Sequence, residues 1–239
     1  MRRSFLSSRL LGANRRWYMG NVMEKGQSMP RVEAILWDFG GVLTDPSAIQ
    51  AELRQYDRQL GLPKGTLQEA LGAGESWEAV SIGQISEEEY WARVGEKYQN
   101  HLPPAFARFS QGTLPFEALR PDVVSLVCAL RGRVKLGLLS NATRSLRHYL
   151  MKMDSFANLF DDIVISAEVG LRKPDPRIYA LAAGRLHVEL ANALLVDDKA
   201  RNTLAAQRCG MQAITFQSVE QTRQALKRLG VMAGPIEEQ

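Results

Sequence analysis

The second half of this chain has a rhythm that few folds satisfy. After Pro121, helical and strand signals alternate. Asp122–Leu130 reads as a helix and Val134–Leu139 as a strand; a further helix leads to the strand Ile163–Ile165. Pro176–Leu186 (helix), Ala193–Val196 (strand), Ala200–Arg208 (helix), Ala213–Phe216 (strand) and Val219–Leu229 (helix) complete the series. Short, uniformly apolar strands separated by helices imply a parallel sheet covered on both faces. One more such run, Val32–Trp37, stands far upstream. Between it and Pro121, residues 47–118 carry only helical signals. Ile49, Leu53, Tyr56 and Leu60 recur at helical spacing, and Ser86-Glu87-Glu88-Glu89 opens a helix through Tyr90, Trp91 and Val94. Pro103-Pro104 and Pro115 break this region up. The expected architecture is α/β: a Rossmann-like parallel-sheet core of residues 31–44 and 119–239, interrupted after its first strand by a helical insertion at 45–118.

The 239 residues are 45% hydrophobic and 23% charged, which excludes disordered and low-complexity classes. No stretch approaches the ~20 apolar residues of a membrane span. Cys128 and Cys209 sit on apolar helical stretches and are expected to be buried free thiols, which fits a reducing compartment and excludes a disulfide scaffold. The formal charge of +4 belongs to one end. Residues 1–23 hold five arginines and no acid; the rest has 25 basic against 26 acidic residues, net −1. No basic face argues for nucleic acid. Residues 1–30 are expected to form a disordered N-terminal tail. They lack the apolar region of a secretory signal. A mitochondrial presequence shares their composition, so a mitochondrial location stands as the alternative to a cytoplasmic one. Met19, Met23 and Met29 also leave room for a mis-assigned start.

In open parallel sheets, ligands bind beyond the carboxyl ends of the strands. The first run is followed by Asp38-Phe39-Gly40-Gly41-Val42-Leu43-Thr44-Asp45, the second by Ser140-Asn141-Ala142-Thr143, the third by Gly170-Leu171-Arg172-Lys173-Pro174-Asp175, and the fourth by Asp197-Asp198-Lys199. An aspartate abutting a buried strand is costly unless paired or metal-bound. Each of these groups taken singly suits a turn or a cap; together they line one edge. The chemistry they suggest is phosphoryl transfer. A carboxylate can be phosphorylated as a nucleophile. Carboxylates with a backbone carbonyl suit Mg²⁺. A lysine, a hydroxyl and helix-N-terminal amides can hold phosphate oxygens. Gly40-Gly41 lets the backbone turn sharply beside the first aspartate.

The motifs WDFGGVLTD, LLSNAT, GLRKPDPRIY and LLVDDKARN, in this order, resemble those of the haloacid dehalogenase (HAD) superfamily, in the branch with a helical cap inserted after the first motif. The resemblance spans nearly everything after the tail. It implies that Asp38 is the nucleophile and that residues 45–118 are the cap. It implies Mg²⁺ held by Asp38, the backbone carbonyl of Gly40 and Asp198, with Asp197 as a further ligand or support. Ser140 and Lys173 would bind the transferring phosphoryl group, with Asn141 beside them. The implied activity is Mg²⁺-dependent hydrolysis of a small phosphorylated metabolite through an aspartyl-phosphate. A second copy of the chain, in a homodimer, is the one protein partner in view; nucleic acid and membrane are not expected.

Family phosphatases usually carry a second aspartate two residues after the nucleophile, and here that position is Gly40. Losing general acid–base help typically costs ~10²–10⁴-fold. A substrate with a good leaving group tolerates that loss, and the chain is similar to a bacterial sugar-1-phosphate phosphatase subgroup with Gly at this position. Asp45 is a candidate replacement carboxylate, although Asp45-Pro46 is also a turn signal. A 2-haloacid dehalogenase would need no acid, but such members need no metal and typically lack the paired Asp197-Asp198. An inactive binding protein on the same fold is the other alternative, opposed by the joint presence of Asp38, Lys173 and Asp198. Trp77, Tyr90 and Trp91 read as cap core that could also face a pocket, and Gly83 as a turn. Arg172 suits either added positive potential or a loop cap; Asn202 suits either an anchor for the acidic loop or the surface. His101, His148 and His187 lie outside the motifs and read as solvated residues.

Overall fold

The computed structural model describes residues 30–98, 119–153, 156 and 158–232. The expected tail, residues 1–30, lies outside the described residues apart from Pro30, and so do Pro103, Pro104, Pro115 and His101.

Strand β1 (Ala34–Trp37) is followed by helices α1 (Ser47–Gln59), α2 (Thr66–Gly72), α3 (Gly74–Ser81) and α4 (Glu87–Lys97). Then come α5 (Pro121–Leu130), β2 (Lys135–Ser140), α6 (Ser145–Met151), β3 (Asp162–Ile165), α7 (Ser166–Val169) and α8 (Pro176–Arg185). β4 (Ala193–Asp197), α9 (Ala200–Arg208), β5 (Gln212–Thr215) and α10 (Val219–Arg228) complete the fold. All five strands are parallel, in the order β3-β2-β1-β4-β5. The expected α/β core with an inserted helical segment is therefore present. Each expected strand is found within two residues of its predicted ends.

Alternation along each strand divides the core into two layers. Ile35, Trp37, Leu136, Leu138, Leu194 and Val196 pack on one face with α5, α6 and α10. Ala34, Leu36, Leu139 and Leu195 pack on the other with α8 and α9. Burial on both faces is why these strands read as unbroken apolar runs. Helix starts follow local chemistry. Asp175 accepts a hydrogen bond from the Arg177 N–H at 2.9 Å ahead of Pro176, and Ser218 caps α10 through the Gln221 N–H at 3.2 Å.

Cys128 corrects one expectation. α5 buries Val123, Leu126, Val127 and Leu130, and position 128 falls on the opposite side of the helix, so the thiol is exposed. Cys209 is half-buried, its Sγ 3.0 Å from the Ala205 carbonyl oxygen. An apolar stretch does not bury every residue in it when the period is helical.

The helical segment departs and returns at one place. Thr44 and Leu119 form an antiparallel bridge, and the Arg120 N–H donates to the Leu43 carbonyl at 2.8 Å. The segment has its own small core of Leu53, Leu67, Leu71, Val80, Tyr90 and Val94. Ser86 caps α4 through the Glu89 N–H at 3.1 Å. The buried Asp57 carboxylate of α1 accepts from the Gly65 and Leu67 N–H groups at 2.7 and 3.0 Å, capping α2 from outside. The Tyr90 hydroxyl donates to the Ala70 carbonyl at 2.7 Å and joins α4 to α2. Among the described residues, no helix is long and apolar enough to cross a membrane.

Candidate active site

The sheet order changes direction at β1, which has β2 on one side and β4 on the other. The carboxyl edge at such a switch point is where open α/β sheets hold ligands. Asp38 directly follows β1, Ser140 ends β2 and Asp197 ends β4. Lys173 arrives on the loop between α7 and α8, and its peptide bond to Pro174 is cis.

Lys173 is the hub, only 1% exposed. Its ammonium lies 2.9 Å from Asp38 Oδ1 and 2.6 Å from Asp197 Oδ2, and donates to the Leu139 carbonyl at 2.7 Å. Three acceptors match its three N–H donors. Burial works against the charge on Lys173, but the two carboxylates outweigh it and hold the proton on more firmly than usual. The loop carrying Lys173 is fixed by Asn141. The Asn141 Nδ2 donates to the Lys173 carbonyl, and the Lys173 N–H donates to Asn141 Oδ1, both at 2.8 Å. The Asn141 side chain is thus engaged with main chain.

The two adjacent acids differ. Asp197 is fully buried, and both its oxygens are occupied. Oδ1 accepts from the Lys199 N–H and Asn202 Nδ2, each at 2.9 Å; Oδ2 accepts from Lys173 and from Asn202 at 3.0 Å. Burial pushes Asp197 up, but the Lys173 charge and these hydrogen bonds prevail and hold it below the usual carboxylate range. Asn202 is therefore the anchor of the acidic loop. It is itself tied by the Tyr179 hydroxyl, which donates to its carbonyl at 2.9 Å. Asp198 Oδ1, by contrast, is buried with no hydrogen-bond partner among the described residues. Burial raises its pKa. Ligand atoms of Asp38, Asp197 and Asp198 all lie within 4.8 Å of one another. An orphaned buried carboxylate oxygen in an all-oxygen donor set fits a hard divalent cation such as Mg²⁺.

Asp38 is 5% exposed. Its Oδ1 accepts from its neighbour's N–H, that of Phe39, at 2.8 Å, as well as facing Lys173. Burial pushes this carboxyl up to about 7; Lys173 pulls against the shift and the Asp197 charge adds to it. The glycine pair divides its work. Gly41 has φ +84°, and a Cβ there would sit 2.7 Å from Asp198 Cγ, so only glycine fits. Gly40 is at φ −73°, ψ 121°, an ordinary conformation, and a Cβ there would meet nothing within 4 Å. A side chain is missing at Gly40 with room to spare.

Above this edge lies a cavity of about 790 Å³, bounded by the core on one side and by α1–α4 on the other. Asp38, Gly40, Ser140, Asn141, Lys173 and Asp198 all line it, so the expected site residues converge, with Asp197 behind them as the buried partner of Lys173. Asp45 does not line it. Its Oδ1 accepts from the Ser47 N–H at 3.0 Å at the start of α1, and Arg120 lies 3.6 Å away. Hydrogen bonding at Ser47 holds its carboxyl below the usual range, the behaviour of a turn residue. Arg172 lines the cavity and pairs with Glu78 of α3 at 3.3 Å. Tyr90 belongs to the helical core, while Trp77 and Trp91 pack on it and also line the cavity.

Glu87 was legible only as part of a helix start. Its carboxylate crosses to α6, accepting from the Ser145 N–H at 2.8 Å and the Ser145 hydroxyl at 2.7 Å. α6 has no side-chain cap at its own N-cap residue, so the insertion supplies one. Gly83 is a close approach as well as a turn: with φ +71°, a Cβ there would lie 2.6 Å from the Ala167 carbonyl oxygen of α7.

Comparison with known proteins agrees with the fold. A family model described as haloacid dehalogenase-like hydrolase matches residues 32–210. The chain is 30% identical to the sesquiterpene phosphatase AstK of Aspergillus oryzae over 82% of this chain and 96% of that one. A HAD-like family hydrolase from Porphyromonas gingivalis shares the fold with a TM-score of 0.66 at 22% identity, covering 89% of this chain and 100% of that one. A Bacteroides thetaiotaomicron HAD family enzyme, crystallised in complex with magnesium and inorganic phosphate, matches with a TM-score of 0.61 at 18% identity, over 78% and 94% of the two chains.

Proposed function

This chain belongs to the haloacid dehalogenase-like hydrolases, and from that premise we propose that it is a Mg²⁺-dependent phosphatase acting on a small phosphorylated metabolite. One observation carries the reading: Asp38 is charge-paired through Oδ1 to Lys173, beside an unpartnered Asp198 oxygen, at the floor of a cavity. The phosphatase name of the A. oryzae relative and the magnesium and phosphate of the B. thetaiotaomicron enzyme support it.

Asp38 Oδ2, which takes neither of the bonds made by Oδ1, attacks phosphorus in line. The ester P–O bond breaks, the leaving oxygen departs with its electron pair, and an aspartyl-phosphate remains. The Ser140 hydroxyl binds the phosphoryl oxygens as charge builds on them, and Lys173 stabilises that charge by turning the donor it now gives Asp38 Oδ1 towards them. Asp197 and Asn202 keep Lys173 protonated and aimed. Asn141 holds the loop that delivers it. Water then attacks phosphorus, the bond from Asp38 Oδ2 to phosphorus breaks, and inorganic phosphate leaves with the water's oxygen and proton, freeing the Asp38 carboxylate. Asp38, the Gly40 carbonyl and Asp198 would hold Mg²⁺, with Asp197 as the supporting carboxylate. Mg²⁺ would neutralise phosphate charge and orient the phosphoryl group. The insertion, residues 45–118, acts as the cap that excludes water and selects substrate.

Gly40 offers no carboxyl to protonate the leaving oxygen, so among substrates that bind equally well those with the more stable leaving group react faster. Phosphate release from acetyl phosphate, glucose 1-phosphate and glucose 6-phosphate, with Mg²⁺ and with EDTA, tests the reading. Release is expected with Mg²⁺ only, and faster from the first two than from the third. Absence of release from every one of them would overturn it. Halide release from a 2-haloacid in EDTA would favour a dehalogenase instead.

A further inference from the structure

We infer that the substrate's alcohol is largely apolar, so that the enzyme prefers the phosphate ester of a prenyl- or alkyl-type alcohol to a sugar phosphate. The inference rests on the phosphatase reading and deepens it. The two sides of the cavity differ in kind. The core side carries Asp38, Ser140, Lys173 and Asp198, where a phosphoryl group belongs. The opposite side presents Ile49, Leu53, Leu71, Trp77 and Trp91, joined by Tyr149 of α6.

A sugar ring buried there would need a partner for each hydroxyl, since an unpaired buried hydroxyl costs affinity. The polar side chains that the helical side brings are poorly placed for that task. Glu87 is already bonded twice to Ser145. Gln68 and Glu69 are exposed. Gln50, half-buried, is left beside an apolar wall. That wall rewards hydrocarbon, because each methylene moved out of water adds to binding. The volume is also informative. About 790 Å³ sits in the range of cavities that enclose drug-sized ligands, well beyond what phosphate and a short acyl group fill.

The test holds the leaving oxygen constant and varies only the hydrocarbon. Phosphate release is measured with Mg²⁺ from dimethylallyl, geranyl and farnesyl phosphate, beside glucose 1-phosphate and acetyl phosphate. kcat/KM is expected to rise at least about tenfold from the shortest prenyl chain to the longest, and farnesyl phosphate to exceed glucose 1-phosphate. Ile49→Asn and Trp77→Gln, both at half-buried positions, should each flatten the chain-length series. An equal loss at all three lengths would mark the residue as merely structural and count against the assignment. A flat or falling series from the unaltered protein, with glucose 1-phosphate or acetyl phosphate still hydrolysed, overturns the inference and leaves the phosphatase standing. Silence on every substrate, acetyl phosphate included, overturns both.

Discussion

The sheet edge and the helical insertion solve different problems with different materials. At the edge, charged groups are buried and closed on one another: Lys173 against Asp38, Asp197 and a carbonyl, Asp197 against Asn202 and the Lys199 N–H. On the proposed reading, each of these bonds fixes a reacting or supporting group. In the insertion, the buried Asp57 carboxylate caps a neighbouring helix, and the surface turned to the cavity is mostly hydrocarbon and indole. Among the described residues, the seam between them includes the polar pairs Glu87–Ser145, Glu78–Arg172 and Asp45–Arg120 and a backbone approach at Gly83. On the proposed reading, chemistry is placed on the part whose charged groups are closed on one another, and selection on a part that has a core of its own.

The largest effect expected is at the edge. Asp38→Asn should lower turnover on every substrate by about 10⁴-fold or more, with the thermal midpoint little changed. Comparable activity would move the nucleophile elsewhere and erase the division of labour. Next, Lys173→Met should destabilise the fold by about 3–5 kcal/mol in urea, because it leaves Asp38 and Asp197 buried without their counter-charge. A loss below about 1 kcal/mol would mean that the edge is less closed than its hydrogen bonds indicate.

Asp198→Asn should raise the Mg²⁺ concentration for half-maximal activity by at least about 10-fold. The unaltered protein should also bind Mg²⁺ more weakly in acid. Asp38, pushed up to about 7, is protonated below that pH and must release its proton before it can serve as a ligand. Apparent affinity should then fall about tenfold per pH unit below 7 and level off above it, as seen by calorimetry. A pH-independent affinity would remove Asp38 from the ligand set.

Gly40→Asp asks whether the edge lacks an acid for want of space. The position is conformationally ordinary and empty, so the variant should fold, and glucose 6-phosphate hydrolysis should rise about 10-fold or more. An unchanged rate would show that protonation of the leaving group is already provided. Glu87→Gln probes the seam with the smallest expected effect, about 1 kcal/mol from a weakened cap on α6. KM should change more than kcat. A kcat collapse would place the insertion in the chemistry itself.

The edge was readable from the sequence because strand geometry leaves little choice. A buried apolar run that ends in Asp38, Ser140 or Asp197 must deliver that residue to the carboxyl edge, and five parallel strands put all the ends on one side. Lys173, which sits on a loop, was readable only from the motif that carries it. The insertion was less legible. Helical spacing at Ile49, Leu53 and Tyr56 says that a face is buried, not against what, and among the described residues four helices stand where two were apparent. Glu87 shows why: its capping-box setting was visible, but its partner Ser145 lies 58 residues away. Asp45, weighed as a stand-in acid, instead holds the first turn of α1. The unequal duties of Asp197 and Asp198 follow from Asn202 and the Lys199 N–H, contacts that adjacency in sequence does not reveal.

The central position of β1 bears on how the protein is made. Its two neighbours come late in the chain: Ala34 pairs with Lys135 on one side and with Ala193 on the other. A ribosome releasing the chain from its amino end exposes the most apolar strand first and completes its flanks last. Closing those long loops is slow relative to local helix formation. The helices of residues 47–97, with a core of their own, can gather while the strand waits. A nascent chain halted before residue 193 would carry Asp38 with neither Lys173's second carboxylate nor the acidic loop of Asp198. The edge that the proposed reaction needs is therefore completed late in biogenesis.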